Sequence, residues 1–391
     1  MGKSATISGT PVPGRSWTRL LGTAVTWESI AAVVVLGVLV RHPGGYAIAS
    51  LVLIAAVALG IPFGRITGVQ RIARRLHFGR RARNKGANPA LPVDMVPLGE
   101  WVPGLTVSQT RSARGDDVGV ITDGSSWTAL LGISSDNNLF ADRDDSIELA
   151  ALRGLTVQDD IVFAALQVIT YTVPAPATVM LSGNSAAAAS YTQILHEPVP
   201  PAVRRTWIGV RLDPRLCLEA VASRGASNDG IYATLRFGLH RVQSALKRQG
   251  ITTHELTALE IYDVLALTAG ASPDFGEVRS TESWTHWDCD GFAHCGRQIT
   301  GWGSDPSAGY QAVLNALGSA RVIFGVASYT LDRTDHATGG VRVVSPTAGA
   351  ATAAMAAIQA ELSSRVGFGP AGGDQVPAML ATVPLGREVE L

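Results

Sequence analysis

Two apolar runs near the N-terminus limit what the rest of this chain can be. The first spans Leu20 to Val40 and the second Tyr46 to Phe63, with only Arg41-His42-Pro43-Gly44-Gly45 between them. At about 1.5 Å per helical residue, each run is about long enough to cross the roughly 30 Å hydrocarbon core of a bilayer. A five-residue break with Pro and two Gly holds a tight turn and nothing larger. The pattern predicts a transmembrane hairpin over residues 20–63, with helices at 20–40 and 46–63, behind a mobile tail of residues 1–19. A cleavable signal peptide is the competing reading of the first run, but the second run follows at once and no small-x-small site closes the first.

Behind the second run comes a basic collar of Arg65, Arg71, Arg74, Arg75, Arg80, Arg81, Arg83 and Lys85. Positive charge beside membrane ends stays cytoplasmic, and Lys3, Arg15 and Arg19 before the first run carry the same signal. Both termini are therefore expected in the cytosol at the inner (plasma) membrane. Within the collar, Ile66, Val69, Ile72, Ala73 and Leu76 recur at helical spacing. That spacing predicts an amphipathic juxtamembrane helix lying along anionic lipid. Residues 64–92 thus read as this helix plus a linker, Gly86-Ala87-Asn88-Pro89-Ala90-Leu91-Pro92, and residues 93–391 as a cytosolic domain. Glu28 is the one charge inside the first run. It reads either as a head-group residue, with the span starting near Ser29, or as an intramembrane contact to another protein.

The formal net charge of zero hides an asymmetry. Residues 1–85 hold 12 of the 32 basic residues and one acid, which leaves 20 basic and 31 acidic residues downstream, a net of −11. An acidic domain repels phosphates, so nucleic acid is excluded as its partner. Three cysteines, Cys217, Cys289 and Cys295, form no disulfide framework and read as reduced thiols.

Downstream, β-branched runs alternate with helical periodicity. Strands are expected at Val93–Val96, Val118–Thr122, Trp127–Ile133, Val168–Val173, Trp207–Leu212, around Trp284, Gln298–Trp302, Val322–Tyr329 and Val341–Val344. Asp123-Gly124-Ser125-Ser126 marks a hairpin turn. Helices are expected after Asp145-Ser146 over Ile147–Leu152, after Asp213-Pro214, from Asn228-Asp229 to Gly250, after a Thr252/Glu255 capping box, from Ser307 to Leu317, and from Thr347 to Val366. The tail from 367 reads as loop. The order predicts an α/β fold, a mixed sheet with helices. No period of 20 to 50 residues repeats.

The densest polar cluster is His286-Trp287-Asp288-Cys289-Asp290-Gly291-Phe292-Ala293-His294-Cys295. His286, Cys289, His294 and Cys295 are ligand types that zinc accepts, at a spacing that fits no standard finger. The bland alternative is strand–turn–strand with Asp290-Gly291 as the turn and Cys295 as a small apolar core residue. Asp288 and Asp290 form an Asp-x-Asp pair of the kind that holds a divalent cation on a sugar-nucleotide diphosphate. Asp142-Arg143-Asp144 matches the same pattern, which shows how little it specifies. No P-loop, His-Glu-x-x-His or Gly-x-Ser-x-Gly occurs. No catalytic, cofactor or metal residue is assigned.

Four segments carry a family resemblance: Val93-Asp94-Met95-Val96-Pro97-Leu98; Val118 to Gly124 with Trp127; Val168-Ile169-Thr170-Tyr171-Thr172-Val173-Pro174-Ala175-Pro176; and Ala381-Thr382-Val383-Pro384-Leu385-Gly386. Together with the tail, hairpin and collar they resemble EccE, a membrane component of the type VII (ESX) secretion system of mycobacteria and related actinobacteria. The resemblance implies a non-enzymatic structural subunit that supports an inner-membrane complex with EccB-, EccC- and EccD-like partners, and mycosin protease in some systems. It also implies a cytosolic domain likened to glycosyltransferase folds. The alternative reading is a membrane-tethered sugar-nucleotide-binding enzyme using Asp288 and Asp290. A third is a zinc-binding adaptor.

Overall fold

The computed structural model describes residues 70–112, 115–133, 147–174, 202–225, 227–271 and 280–387, the backbone of 62–63 and 66–69, and scattered earlier and intervening positions. Most of the expected hairpin, the Asp142–Asp144 pair and Ala175-Pro176 lie outside the described residues. The chain divides into two compact units, Met1–Ala73 and Arg74–Leu391. In the first, Glu28, Ala31, Ala32 and Val35 are helical and exposed, and so are Gly44, Tyr46, Ala47, Ser50 and Leu51. Among the described residues no helix is both long and apolar enough to cross a membrane.

The second unit is built on one twelve-stranded sheet. Helix α1 (Gly68–Arg83) runs into it, followed by a 3-10 turn at Val93–Met95 and a short helix α2 (Val96–Trp101). Then come β1 (Thr106–Arg111), β2 (Asp117–Thr122), β3 (Trp127–Ile133), β4 (Ala165–Val173) and β5 (Val203–Leu212). Helices α3 (Leu218–Arg224) and α4 (Ser227–Arg248), strand β6 (Thr253–Glu255) and helix α5 (Ala258–Ala269) complete this half. The other half holds β7 (Ser280–Glu282), β8 (Trp287–Cys289), β9 (Phe292–Gly301), α6 (Pro306–Ser319), β10 (Phe324–Asp332) and β11 (Ala337–Ser345). It ends with α7 (Ala348–Leu362), β12 (Gly367–Phe368) and α8 (Gln375–Ala381).

Strand order is β7-β8-β9-β11-β10-β4-β5-β3-β2-β1, with β6 added to β3 and β12 to β9. Every pairing in this sheet is antiparallel. Strands and helices do alternate as expected, but the sheet is not mixed. The reason is burial: β10 is buried at all but its last residue and β11 at all but its first. Such two-sided strands read as continuous apolar runs, the usual mark of a parallel sheet covered on both faces. Here two helical layers cover an antiparallel sheet instead. Ala129 and Leu131 join the core under α4, α6 and α7, while Leu130 between them joins the core under α2, α5 and α8.

The two halves repeat one another. Each makes a three-strand meander and then a hairpin whose second strand pairs with the third strand of the meander. Each then returns through helix, adds a short strand to that third strand and lays a helix on the same face. Equivalent hydrogen bonds close the returns: Leu256 N donates to Leu130 O (3.1 Å) and Gly369 N to Gln298 O (2.9 Å). Gly209-Val210-Arg211 in β5 recurs as Gly340-Val341-Arg342 in β11. Val210 faces Leu166 of β4 as Val341 faces Ala327 of β10. The halves meet where β4 pairs β10, from Thr172↔Gly325 to Ala165↔Asp332.

Four local expectations change, the first being that Trp284, expected within a strand, sits in the bend between β7 and β8. Val93–Val96 is turn and helix rather than strand, because Pro97 falls in the first helical turn, where its missing N–H costs nothing. The capping box is Thr257/Glu260, with Thr257 N donating to Glu260 Oε2 at 2.8 Å. Thr252/Glu255 fits the same pattern, but residues 253–255 pair with β3. The tail expected as loop contains α8, whose Val376, Met379 and Ala381 are buried.

Gly238 shows how closely α4 lies on the sheet. A Cβ there would stand 1.9 Å from Cζ of the fully buried Phe163. Mid-helix Gly→Ala ordinarily stabilises by about 0.5–1 kcal/mol. Gly238→Ala should instead destabilise by about 1–3 kcal/mol through overpacking. A urea midpoint at or above the parent value would show that Phe163 yields.

Candidate functional site

A cluster of ion pairs forms where α1 meets the sheet edge at β7. With about 100° per residue, Arg74, Phe78 and Arg81 form one stripe along α1. Arg74 is buried; its Nε donates to Asp374 Oδ2 at 2.7 Å, and its Nη2 donates to the carbonyls of Pro370 (3.2 Å) and Gly372. Arg81 makes a two-pronged bond to Glu282, Nε to Oε2 and Nη2 to Oε1, both 3.1 Å, and also donates to Gly373 O. Phe78 packs edge-on against Trp284 with centroids 5.5 Å apart. Just past the helix, Lys85 Nζ donates to Ser280 O (2.6 Å), sits 3.0 Å from Glu100 Oε2 and lies 5.7 Å from the Trp101 ring centroid.

The carboxylates that receive these cations are built into the fold. The Glu282 side chain is 1% exposed, and its Oε1 accepts from Val376 N at 3.0 Å, satisfying an N-terminal donor of α8. Asp374 is the residue before α8, where a negative charge meets the positive end of the helix dipole. Forked Arg–carboxylate bonds at low exposure are the strong kind. Three members of the collar, Arg74, Arg81 and Lys85, are therefore bound to protein carboxylates rather than turned to lipid. Sequence reasoning found the collar and missed Glu100, Glu282 and Asp374. The only available signal was the stripe 74, 78, 81, with Lys85 continuing it.

The polar cluster resolves as strand–turn–strand. β8 and β9 flank Asp290 (φ +47°) and Gly291 (φ +80°), both left-handed as a two-residue hairpin turn requires. The four candidate zinc ligands do not converge. Cys289 lies in the core under α5 and α8, Cys295 in the core on the opposite face, and burial pushes the Cys295 thiol pKa up. His286 Nε2 lies 3.0 Å from Asp288 Oδ2 at the surface. Asp288 is half exposed there, whereas Asp290 is buried in the turn. Among the described residues, no three His, Cys, Asp or Glu side chains gather as a metal site.

His294 belongs to a different arrangement. The buried Arg342 donates from Nη1 to His294 Nδ1 (2.6 Å) and Ala269 O (3.4 Å), from Nη2 to Thr268 O, and from Nε to Thr382 Oγ1 (2.9 Å). An arginine only donates, so Nδ1 accepts and the imidazole proton sits on Nε2. Burial, then the Arg342 charge, holds the His294 pKa well below its ordinary value.

Three of the four family-like segments also meet in space. Gln167, just before Val168, donates to Ala381 O (2.7 Å) and accepts from Gly386 N (2.7 Å). Asp123 accepts from Arg211 at 2.6 Å and from Arg387 at 2.7 Å. Burial opposes the Asp123 charge, but the two arginines outweigh it and hold the carboxyl far below its usual range.

Fold and site together define an α-plus-antiparallel-β domain with an arginine helix clasped to one edge by its own cations. Residues 200–296, running from β5 into β9, match the family described as "Putative type VII ESX secretion system translocon, EccE". The match takes in 97 of the 391 residues, Glu282 and His294 among them, and it supports the EccE family for this chain. No curated protein matches the chain.

Proposed function

We propose that this chain is a non-enzymatic structural subunit of a type VII secretion complex in the inner membrane. The observation that carries the reading is the EccE match over residues 200–296. The clasp supports it, because Arg74 and Arg81, on the helix that follows the apolar runs, bond to carboxylates of the domain edge. Residues 20–63 form the membrane hairpin, residues 64–92 the juxtamembrane helix and linker, and residues 93–391 the domain beneath the membrane, with both termini in the cytosol. Its partners are EccB-, EccC- and EccD-like subunits, with mycosin protease attached in some systems. A tagged chain, expressed from its whole locus and purified from detergent-solubilised membranes, should bring these subunits with it. Recovery as a stable lone monomer would sink the proposal.

A further inference from the structure

Helix α1 turns Arg74, Phe78 and Arg81 toward the domain edge and carries apolar side chains among the charges of its outer face. Opposite the Arg74-Phe78-Arg81 stripe, at about 100° per residue, stand Ile72, Leu76 and Arg83. Ile72 is 50% exposed and Leu76 59% exposed, one turn apart. Arg75 and Arg80, also exposed, flank them on either side. Among the described residues neither Arg75, Arg80 nor Arg83 forms an ion pair, whereas Arg74, Arg81 and Lys85 all do. A helix that only packs on its domain turns leucines and isoleucines toward that domain and charges to water. Here Arg74 is buried while Ile72 and Leu76 stand outward among exposed arginines, so the outer face is shaped for a surface that is both apolar and anionic.

We infer that the outer face of α1 docks on an anionic lipid surface. Ile72 and Leu76 enter the boundary between head groups and acyl chains, while Arg75, Arg80 and Arg83 engage phosphates. A single exposed leucine needs no explanation. An apolar pair ringed by three arginines without ion pairs among the described residues, on a helix whose opposite stripe is bonded to its own domain, does. A protein partner is the competing occupant. The arginines favour lipid, since one apolar pair is too small for a stable protein interface but enough for an interfacial helix assisted by charge. The inference rests on the membrane placement proposed above. It adds that the collar has two separate jobs on two faces of one helix.

The test uses the full chain in lipid nanodiscs, with a spin label at Leu76→Cys and a control label at Ser125→Cys in the exposed β2–β3 turn. Discs of phosphatidylcholine alone are compared with discs containing about one-third phosphatidylglycerol. In anionic discs the label at 76 should become several-fold more accessible to oxygen than to a water-soluble nickel chelate, at a depth of roughly 5–10 Å. The label at 125 should stay in water in both. Arg75→Glu with Arg80→Glu should abolish the lipid dependence while leaving thermal stability unchanged, because neither residue belongs to the clasp. A label at 76 equally open to water in both lipids would overturn the inference, as would protection that appears only when other subunits co-purify. Loss of co-purifying subunits with intact lipid protection would overturn the complex reading alone. A chain that fails to enter the discs would overturn the membrane placement and this inference with it.

Discussion

Arg81→Glu should destabilise the domain by about 2–4 kcal/mol, the largest effect expected from any single change in the collar. Glu282 is the reason. Its side chain is almost wholly buried, and Arg81 supplies both of the bonds that neutralise it. Breaking a buried pair ordinarily costs about 3–5 kcal/mol, because one charge stays behind without compensation. Arg81 itself is 21% exposed, which moderates the figure. The new carboxylate would add repulsion beside Glu282 and Asp374, both at the start of α8. Adding Glu282→Gln should recover most of the loss, since an amide oxygen still accepts from Val376 N without a charge. The urea midpoint of the detergent-purified chain measures the first effect, and the double substitution separates repulsion from packing. Trp284 packs on Phe78 at this edge, so the difference in tryptophan emission between the parent and Trp284→Phe isolates its signal from that of the other tryptophans. An unchanged midpoint in Arg81→Glu would mean that α1 is not clasped in solution.

The second large effect is expected at Arg342. It is 1% exposed, and burial pulls its guanidinium pKa down to about 10. Among the described residues none of its hydrogen-bond acceptors is a carboxylate: they are the Thr268 and Ala269 carbonyls, the Thr382 hydroxyl and the His294 imidazole. The two carbonyls belong to the last turn of α5, the negative end of that helix. One guanidinium thus closes α5, reaches the end of α8 and fixes the tautomer of His294. Removing a buried cation is favourable in itself. Against that, each acceptor left without a donor costs about 1–3 kcal/mol, and several would be orphaned together. Arg342→Met, which keeps volume but not donors, should therefore lose about 2–4 kcal/mol net. Arg342→Lys should fall between, because one ammonium cannot span the same forked arrangement. A methionine variant as stable as the parent would show that the cation contributes nothing to holding the two helices.

Local chemistry made much of the fold legible in the sequence. The Asp123 to Ser126 hairpin, the β-branched end of β4, the Asp213-Pro214 start and the Gly250 stop each depend on a few adjacent residues. What stayed hidden depends on distant pairs. Strands buried on both faces lose the alternation that would have marked them antiparallel, so the sheet read as mixed. The Gly-Val-Arg echo at 209 and 340 is only three residues long, and its spacing is far longer than the period of a solenoid. At the site, arginine stripes are visible in one dimension, but Glu100, Glu282 and Asp374 come from three separate segments. Nothing local distinguishes them from the other acids of an acidic domain. The Asp290-Gly291 turn was legible because turn chemistry is local. His294 was visible as a histidine, whereas its partner Arg342 lies on another strand.

The repeated halves make the two ends of the sheet directly comparable. A chain whose two halves join edge to edge through β4 and β10 has the layout of a twofold dimer fused into one polypeptide. In a dimer each end strand would have the same surroundings. Here the end at β7 is held by α1, while its counterpart β1 carries the polar run Thr106-Val107-Ser108-Gln109-Thr110-Arg111. One of two topologically equivalent edges therefore carries α1, and the other carries a different, more polar sequence.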